Sequence, residues 1–362
     1  MPLSKIQITN NQVIPNLGRR NLIINGAMQV AQRGTSTTNS NGYGVDRFRG
    51  NVSAMDELAQ TLAQNSVTDL PGFTKSLKVT TTTGESSIAS NELFREMYFI
   101  EGQDLQHLKY GTPDAKTITL SFYVKSTVTG TFACSIYADT NSRMIGGTYT
   151  INSANTWEKK TLSFAGDTGS VIGNDNTEGL RINWILAAGS DNTSANNTSW
   201  GSYSGTKLAY GHVTNSVITT TNASWEITGV QLEVGDSASD FENRSFAEEL
   251  ALCKRYFQVV RQGIMGECMN ANGTCNWWYE FPVQMRAVPS IVCTKTVYRY
   301  GDMVAIGVEM TSISVSAGGY RSEKTAIWNV TGTKSATPVQ YRIQLLEPQN
   351  ANHGDFQFSA EL

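Results

Sequence analysis

Between Thr117 and Lys125 the apolar residues Ile118, Leu120, Phe122 and Val124 fall on alternate positions. That period of two marks a strand with one buried face. The pattern returns in Ser76–Thr80, Thr131–Tyr137, Trp157–Phe164, Gly179–Ala187 and Trp225–Val234. Thr129-Gly130 between two of these runs reads as a hairpin turn. Many short strands separated by turn residues predict stacked sheets rather than a bundle. The composition agrees, because only 16% of residues are charged against 40% hydrophobic, which does not suit helical bundles rich in Glu and Lys.

Four regions follow. Residues 1–20 are polar, carry two prolines and show no period, so they read as an arm that docks on a neighbouring subunit, with a frayed terminus as the alternative. Residues 21–243 hold the first strand series and are expected to form a jelly-roll sandwich. Gly42 and Gly44 around Tyr43 suggest a tight turn there. Residues 244–258 carry a helix signature: Ser245 as N-cap, Glu248 three residues on, and Phe246, Leu250, Cys253 and Phe257 at helical spacing. This segment is read as a linking helix. Residues 259–362 return to strands and are expected to form a second β-domain, with Phe356–Leu362 alternating and therefore paired.

The formal net charge is −3, and no basic cluster beyond Arg19-Arg20 is present, so nucleic acid is not an expected partner. No apolar run reaches the roughly 18 residues of a membrane span, and the start lacks a signal core. Five cysteines in a long chain predict free thiols of a protein made in bacterial cytoplasm, with Cys268–Cys275 the pairing left open.

Specific segments then resemble a known group. Trp225-Glu-Ile-Thr-Gly-Val-Gln-Leu-Glu-Val-Gly235, Asp240-Phe-Glu-Asn-Arg-Ser-Phe246 and Glu249–Phe257 look like a signature of bacteriophage tail-fibre and minor virion structural proteins. Asn21–Gly34 with Tyr43–Phe48, and Phe358–Leu362, are similar to the beginning and end of the same proteins. Docking to other virion proteins through residues 1–20 and attachment to a host cell-surface glycan are expected, and the resemblance implies a carbohydrate-binding-module-like β-sandwich, a virion location and the homotrimeric assembly common among such appendages. It does not by itself imply sugar binding. The alternatives are a receptor-recognition head proper, a polysaccharide depolymerase, and a head-fibre or decoration protein.

No catalytic constellation stands out. His107, His212 and His353 are far apart, and no nucleophile elbow or phosphate loop occurs. A depolymerase needs two carboxylates about 5–10 Å apart. The candidates are Glu101 with Asp104, Asp167 with Asp175, and Glu226 with Glu233. The last two differ by an odd number and are expected on opposite faces of one strand. The chain therefore reads as non-enzymatic and free of cofactors, save for one structural calcium of the kind such sandwiches hold. Asp46, Glu101 and Glu226, beside strand ends, are its candidate ligands, against salt bridges or caps as the plainer use of these acids. Sugar recognition favours aromatic faces beside polar groups. Trp200 and Tyr203 in the polar stretch 188–206, and the run Trp277-Trp278-Tyr279, are the candidates, with core or subunit-interface packing as the alternative for each.

Overall fold

The computed structural model describes residues 19–38, 41–260, 264–268, 275–293, 297–301, 308–316, 322–334, 343–348 and 356–362. The arm expected over 1–20 lies almost wholly outside these residues, as does His353. Two antiparallel sheets stack as a jelly-roll sandwich. One runs, in spatial order, Ser36–Thr38, Ala59–Ser66, Lys75–Thr83, Ser224–Val234, Ile118–Ser126, Glu158–Phe164. The other runs Gly201–Ser202, Arg143–Ile151, Gly130–Ala138, Glu178–Ala188, Leu93–Glu101, Phe48–Ser53, Tyr43–Val45.

The alternation drives this packing. Ile118, Leu120, Phe122 and Val124 are fully buried between the sheets, with Trp184 and Trp225. Phe122 meets Tyr149 edge-on at 5.1 Å, and the Trp225 indole N–H donates to the Tyr149 hydroxyl at 3.2 Å, which satisfies that indole, while the buried Trp184 Nε1 has no hydrogen-bond partner. Glu96 also points inward. Neither of its oxygens has a hydrogen-bond partner, and burial pushes its carboxyl well above the ordinary range, which favours the neutral form.

Three local readings need correction. Thr129-Gly130 is not a hairpin: Ile118–Ser126 belongs to the first sheet and Gly130–Ala138 to the second, so the chain crosses the core there. Gly130, at φ +139°, makes the change of direction, and Thr214 fills the space a side chain would need. The turn near Tyr43 falls instead at Asp46-Arg47, where Arg47 has φ +75°. Gly44 is needed for close approach, since a Cβ there would lie 2.7 Å from Leu77 and 2.8 Å from Leu62. Third, a β-bulge interrupts Ser224–Val234 between Thr228 and Gln231, with Gly229 at φ +60°.

The helix is Phe246–Lys254, with the Ser245 hydroxyl accepting the Glu248 amide at 3.2 Å. Its buried side is the expected one at Cys253 and Leu250, which pack inward, but not at its start. Phe246 is 56% exposed, Glu249 and Cys253 are buried, and Phe257 opens a strand. Cys253 packs with Ile24, Val30 and Tyr256. The helix is thus bound along the sandwich, and so are its flanks. Arg255 forks onto Glu101 at 2.8 and 2.7 Å, and Glu249 accepts the Asn25 amide at 2.7 Å.

Beyond it, Phe257–Val260, Phe356–Ser359 and Ser290–Cys293 form a three-stranded sheet, with Phe356–Ser359 in the middle. Strands Ile264–Cys268, Cys275–Glu280, Thr325–Lys334, Val308–Ser316, Val297–Gly301 and Ile343–Pro348 close a barrel. The run Ile291–Tyr298 therefore splits between two sheets, and the candidates 304–310 and 311–315 meet in one strand, Val308–Ser316. Cys134 and Cys253 are buried free thiols, and Cys268 faces Cys275 in backbone register. No helix among the described residues is long and apolar enough to cross a membrane.

Candidate functional site

The outer face of the seven-stranded sheet carries charged and polar side chains in lateral rows. In one row Asn51 sits opposite Arg95, and in the next Arg49, Met97, Asn183 and Ser135 lie side by side across four strands. A third row brings together Phe99, Arg181 and Tyr137. These side chains point away from the core that Phe94, Tyr98, Ile182 and Trp184 fill; Met97, Phe99, Asn183 and Ser135 are covered, and Arg49, Asn51, Arg95, Arg181 and Tyr137 remain partly exposed.

Arg181 is fixed. It forks onto Glu178 at 2.9 and 3.0 Å, and its guanidinium lies 4.8 Å from the Tyr137 ring and 5.2 Å from the Phe99 ring. Arg95 is different. Its Nε donates to Asn51 Oδ1 at 3.0 Å and its Nη1 to Asn183 Oδ1 at 3.2 Å. Among the described residues no carboxylate lies within ion-pair distance of it. Burial, and then the nearby Arg181 charge, push it down to about 10. A guanidinium has five N–H donors, so Arg95 is held in place by two neutral amides with donors to spare. Arg33, Arg47, Arg143, Arg244 and Arg255 all meet carboxylates, whereas the half-buried Arg286 is held by the backbone carbonyls of Asn176, Ala360 and Glu361.

Tyr203 borders this face. The short strand Gly201–Ser202 pairs with Arg143 and Met144, and the Tyr203 amide donates to Ser142 O at 2.7 Å. Its ring, 43% exposed, packs edge-on against Tyr137 at 5.2 Å. The arrangement offers an aromatic face, a fixed fork of N–H donors, and amide and hydroxyl groups within one patch.

The other aromatic candidates disperse. Trp200 is half-buried, donates to Ala165 O at 2.6 Å and packs edge-on against Tyr110, so it supports the core. Trp277 is fully buried in the barrel, Tyr279 stacks on Phe358 at 5.8 Å, and Trp278 is 46% exposed on the opposite side of its strand. No ring contact among the described residues joins these three to Trp200 or Tyr203. Arg95, Asn183 and Arg181 were not singled out in the sequence, since only strand register brings them together.

The acids proposed for calcium are not brought together either. Asp46 accepts from the Gln32 amide and side chain at 2.9 and 2.6 Å. Glu101 holds Arg255; burial alone would raise its carboxyl, but hydrogen bonds from Arg255 and Tyr256 keep it below the ordinary value. Glu226 accepts from Ser76 at 3.0 Å and pairs with Lys78 at 3.1 Å, beside a polar hollow of about 270 Å³ that Asp69 and Lys125 also line. Glu226 and Glu233 share one face, contrary to the parity argument, because the bulge at Gly229 adds a residue. Their partners Lys125 and Thr119 are six residues apart, which sets the two acids roughly 20 Å apart. That is too far for a glycosidase pair. Asp167 is forked by Arg143, and Asp175 accepts from Thr177 in its own turn.

No known family model matches the chain, and no curated protein matches it in sequence. Among solved structures it is similar to the enzymatically active domain of tailspike protein 4 of bacteriophage CBA120, at 13% identity and a TM-score of 0.32, over 60% of this chain and 22% of that one. It is also similar to a family 11 carbohydrate-binding module of a Clostridium thermocellum cellulosomal cellulase, at 11% identity and a TM-score of 0.29, over 57% of this chain and 98% of the module. At such identities the likeness concerns fold alone. The chain's own two stacked antiparallel sheets make it an all-β protein with a jelly-roll sandwich.

Proposed function

We propose that the chain is a non-enzymatic subunit of a phage appendage whose sandwich attaches to a host-surface saccharide through the outer face of the seven-stranded sheet. The observation that carries the attachment is Arg95, half-buried and oriented by two amides, without a carboxylate partner, beside the exposed Tyr203. Such a guanidinium suits a bidentate acceptor, so the saccharide is one bearing carboxylates. The virion setting and a homotrimeric assembly rest on the resemblance of the sequence segments described above.

A glycan array probed with the full chain tests the reading. Carboxylate-bearing saccharides bind, Arg95→Met weakens binding by about 10- to 100-fold, as expected for loss of charge-assisted hydrogen bonds, and Tyr203→Ala weakens it less. Trp278→Ala, in the barrel, leaves it unchanged. No signal on any glycan, or binding indifferent to Arg95 and Tyr203, overturns the proposal.

A further inference from the structure

Three carboxylates meet at one end of the sandwich. Asp56 comes from the connection between Phe48–Ser53 and Ala59–Ser66, and Glu85 and Glu92 from the connection between Lys75–Thr83 and Leu93–Glu101. One oxygen from each lies within 4.8 Å of the others. Asp56 is exposed, while Glu85 and Glu92 are only 2% and 4% exposed. Among the described residues no lysine, arginine or histidine forms an ion pair with any of them; of the other buried acids, Asp46, Glu101, Asp167, Glu226, Glu233 and Glu249 each have one and Glu96 does not. Glu92 Oε2 accepts the Ala89 amide at 2.8 Å, whereas Glu85 Oε2 is buried with no hydrogen-bond partner at all.

Adjacent buried carboxylates without a counter-charge repel one another, and water cannot screen them. A proton or a cation must relieve this. The donors are all hard oxygens, with no histidine or cysteine, which disfavours zinc and copper. The spacing fits inside the roughly 5 Å diameter of a calcium oxygen shell, and a cage of three protein carboxylates is foreign to magnesium, which keeps most of its waters.

We propose that Asp56, Glu85 and Glu92 bind a calcium ion that ties these two connections together. Burial, followed by the neighbouring Glu92, pushes the Glu85 carboxyl up from its ordinary value, and a bound cation reverses that. The tie extends further. Glu92 O accepts the Gly189 amide at 2.8 Å and Asn192 Nδ2 at 3.3 Å, and Ser90 O accepts the Asp191 amide at 2.9 Å. The ion therefore also braces the start of the segment that carries Tyr203, although its binding does not depend on saccharide recognition.

The test uses the full chain stripped with EDTA and titrated with calcium chloride by calorimetry, with thermal melting in parallel. Calcium binds saturably and raises the melting midpoint above that in EDTA. Asp56→Asn, an exposed change that leaves the fold intact, weakens binding at least about tenfold. Glu85→Gln loses the calcium response, and in EDTA it melts no lower than the parent because a repulsion has gone. The proposal is overturned by an absence of binding heat together with equal midpoints in millimolar calcium and EDTA. Undiminished binding by Asp56→Asn overturns it equally.

Discussion

His212 shows how one side chain sets a pH limit. It is 8% exposed; its Nδ1 accepts the Ala133 amide at 3.3 Å and its Nε2 bonds Asn215 Oδ1 at 3.1 Å, so the proton sits on Nε2. Asn215 in turn accepts the Ala188 amide at 3.0 Å, which couples the imidazole to the sheet edge. Burial lowers His212 from 6.5 to about 4. A depressed histidine stabilises the fold fully above the unfolded value, and this contribution is lost as pH falls from 6.5 towards 4. The shift corresponds to roughly 3 kcal/mol. Melting midpoints measured across that window should fall in the parent. In His212→Gln, less stable at neutral pH, they should fall less steeply; equal slopes would remove His212 as the cause.

At the scale of a strand, Gly229 governs the register of Ser224–Val234. A Cβ there would lie 2.7 Å from the Phe73 ring and 3.0 Å from Tyr123, on a left-handed backbone. Gly229→Ala should cost about 2–5 kcal/mol, from about 1–2 for the backbone and 1–3 for overpacking. Urea denaturation reads this as a lower midpoint at unchanged slope, and an unaltered midpoint would show that the bulge is not constrained. The strand itself was legible in its alternation. The bulge was written there too, as a change of phase from Trp225 and Ile227 to Val230 and Leu232 across Thr228-Gly229. Glu226 and Glu233 were misplaced because that phase change was counted as continuous. Thr129-Gly130 could not be resolved locally, since a turn within a sheet and a crossing between sheets use the same residues. Tyr203 stood out as an aromatic in a polar stretch. Arg95 did not, because its amide partners come from two other strands.

At the scale of the molecule, the segments that carry the family resemblance converge on one seam. Asn21 Oδ1 accepts the Leu232 amide at 3.0 Å, Arg244 donates to Ile23 O at 3.0 Å, and Asn25 Nδ2 reaches Asp46 O at 2.9 Å. Arg255 and Glu101 fasten the end of the helix to the sheet. Glu101 is fully buried and lies below its ordinary value. Its contribution is therefore present above 4.5 and is lost as pH falls through the folded value. Glu101→Gln should cost about 3–5 kcal/mol at neutral pH, because Arg255 is left without its counter-charge. The gap from the parent in thermal melting should narrow in acid. A gap that is constant with pH would mean that the ion pair is not its source.

Glu361 gives this seam a temporal meaning. It holds Arg33 and Arg47 across separations of 328 and 314 residues, and Arg47 is enclosed between the Tyr256 and Tyr98 rings. On the ribosome, a nascent chain halted before residue 356 leaves Arg47 without its carboxylate, Arg33 with Asp46 alone, and the middle lane of a three-stranded ribbon vacant. Native closure of the first-made half thus waits for the translation of the second, and contacts so distant along the chain make that closure slow.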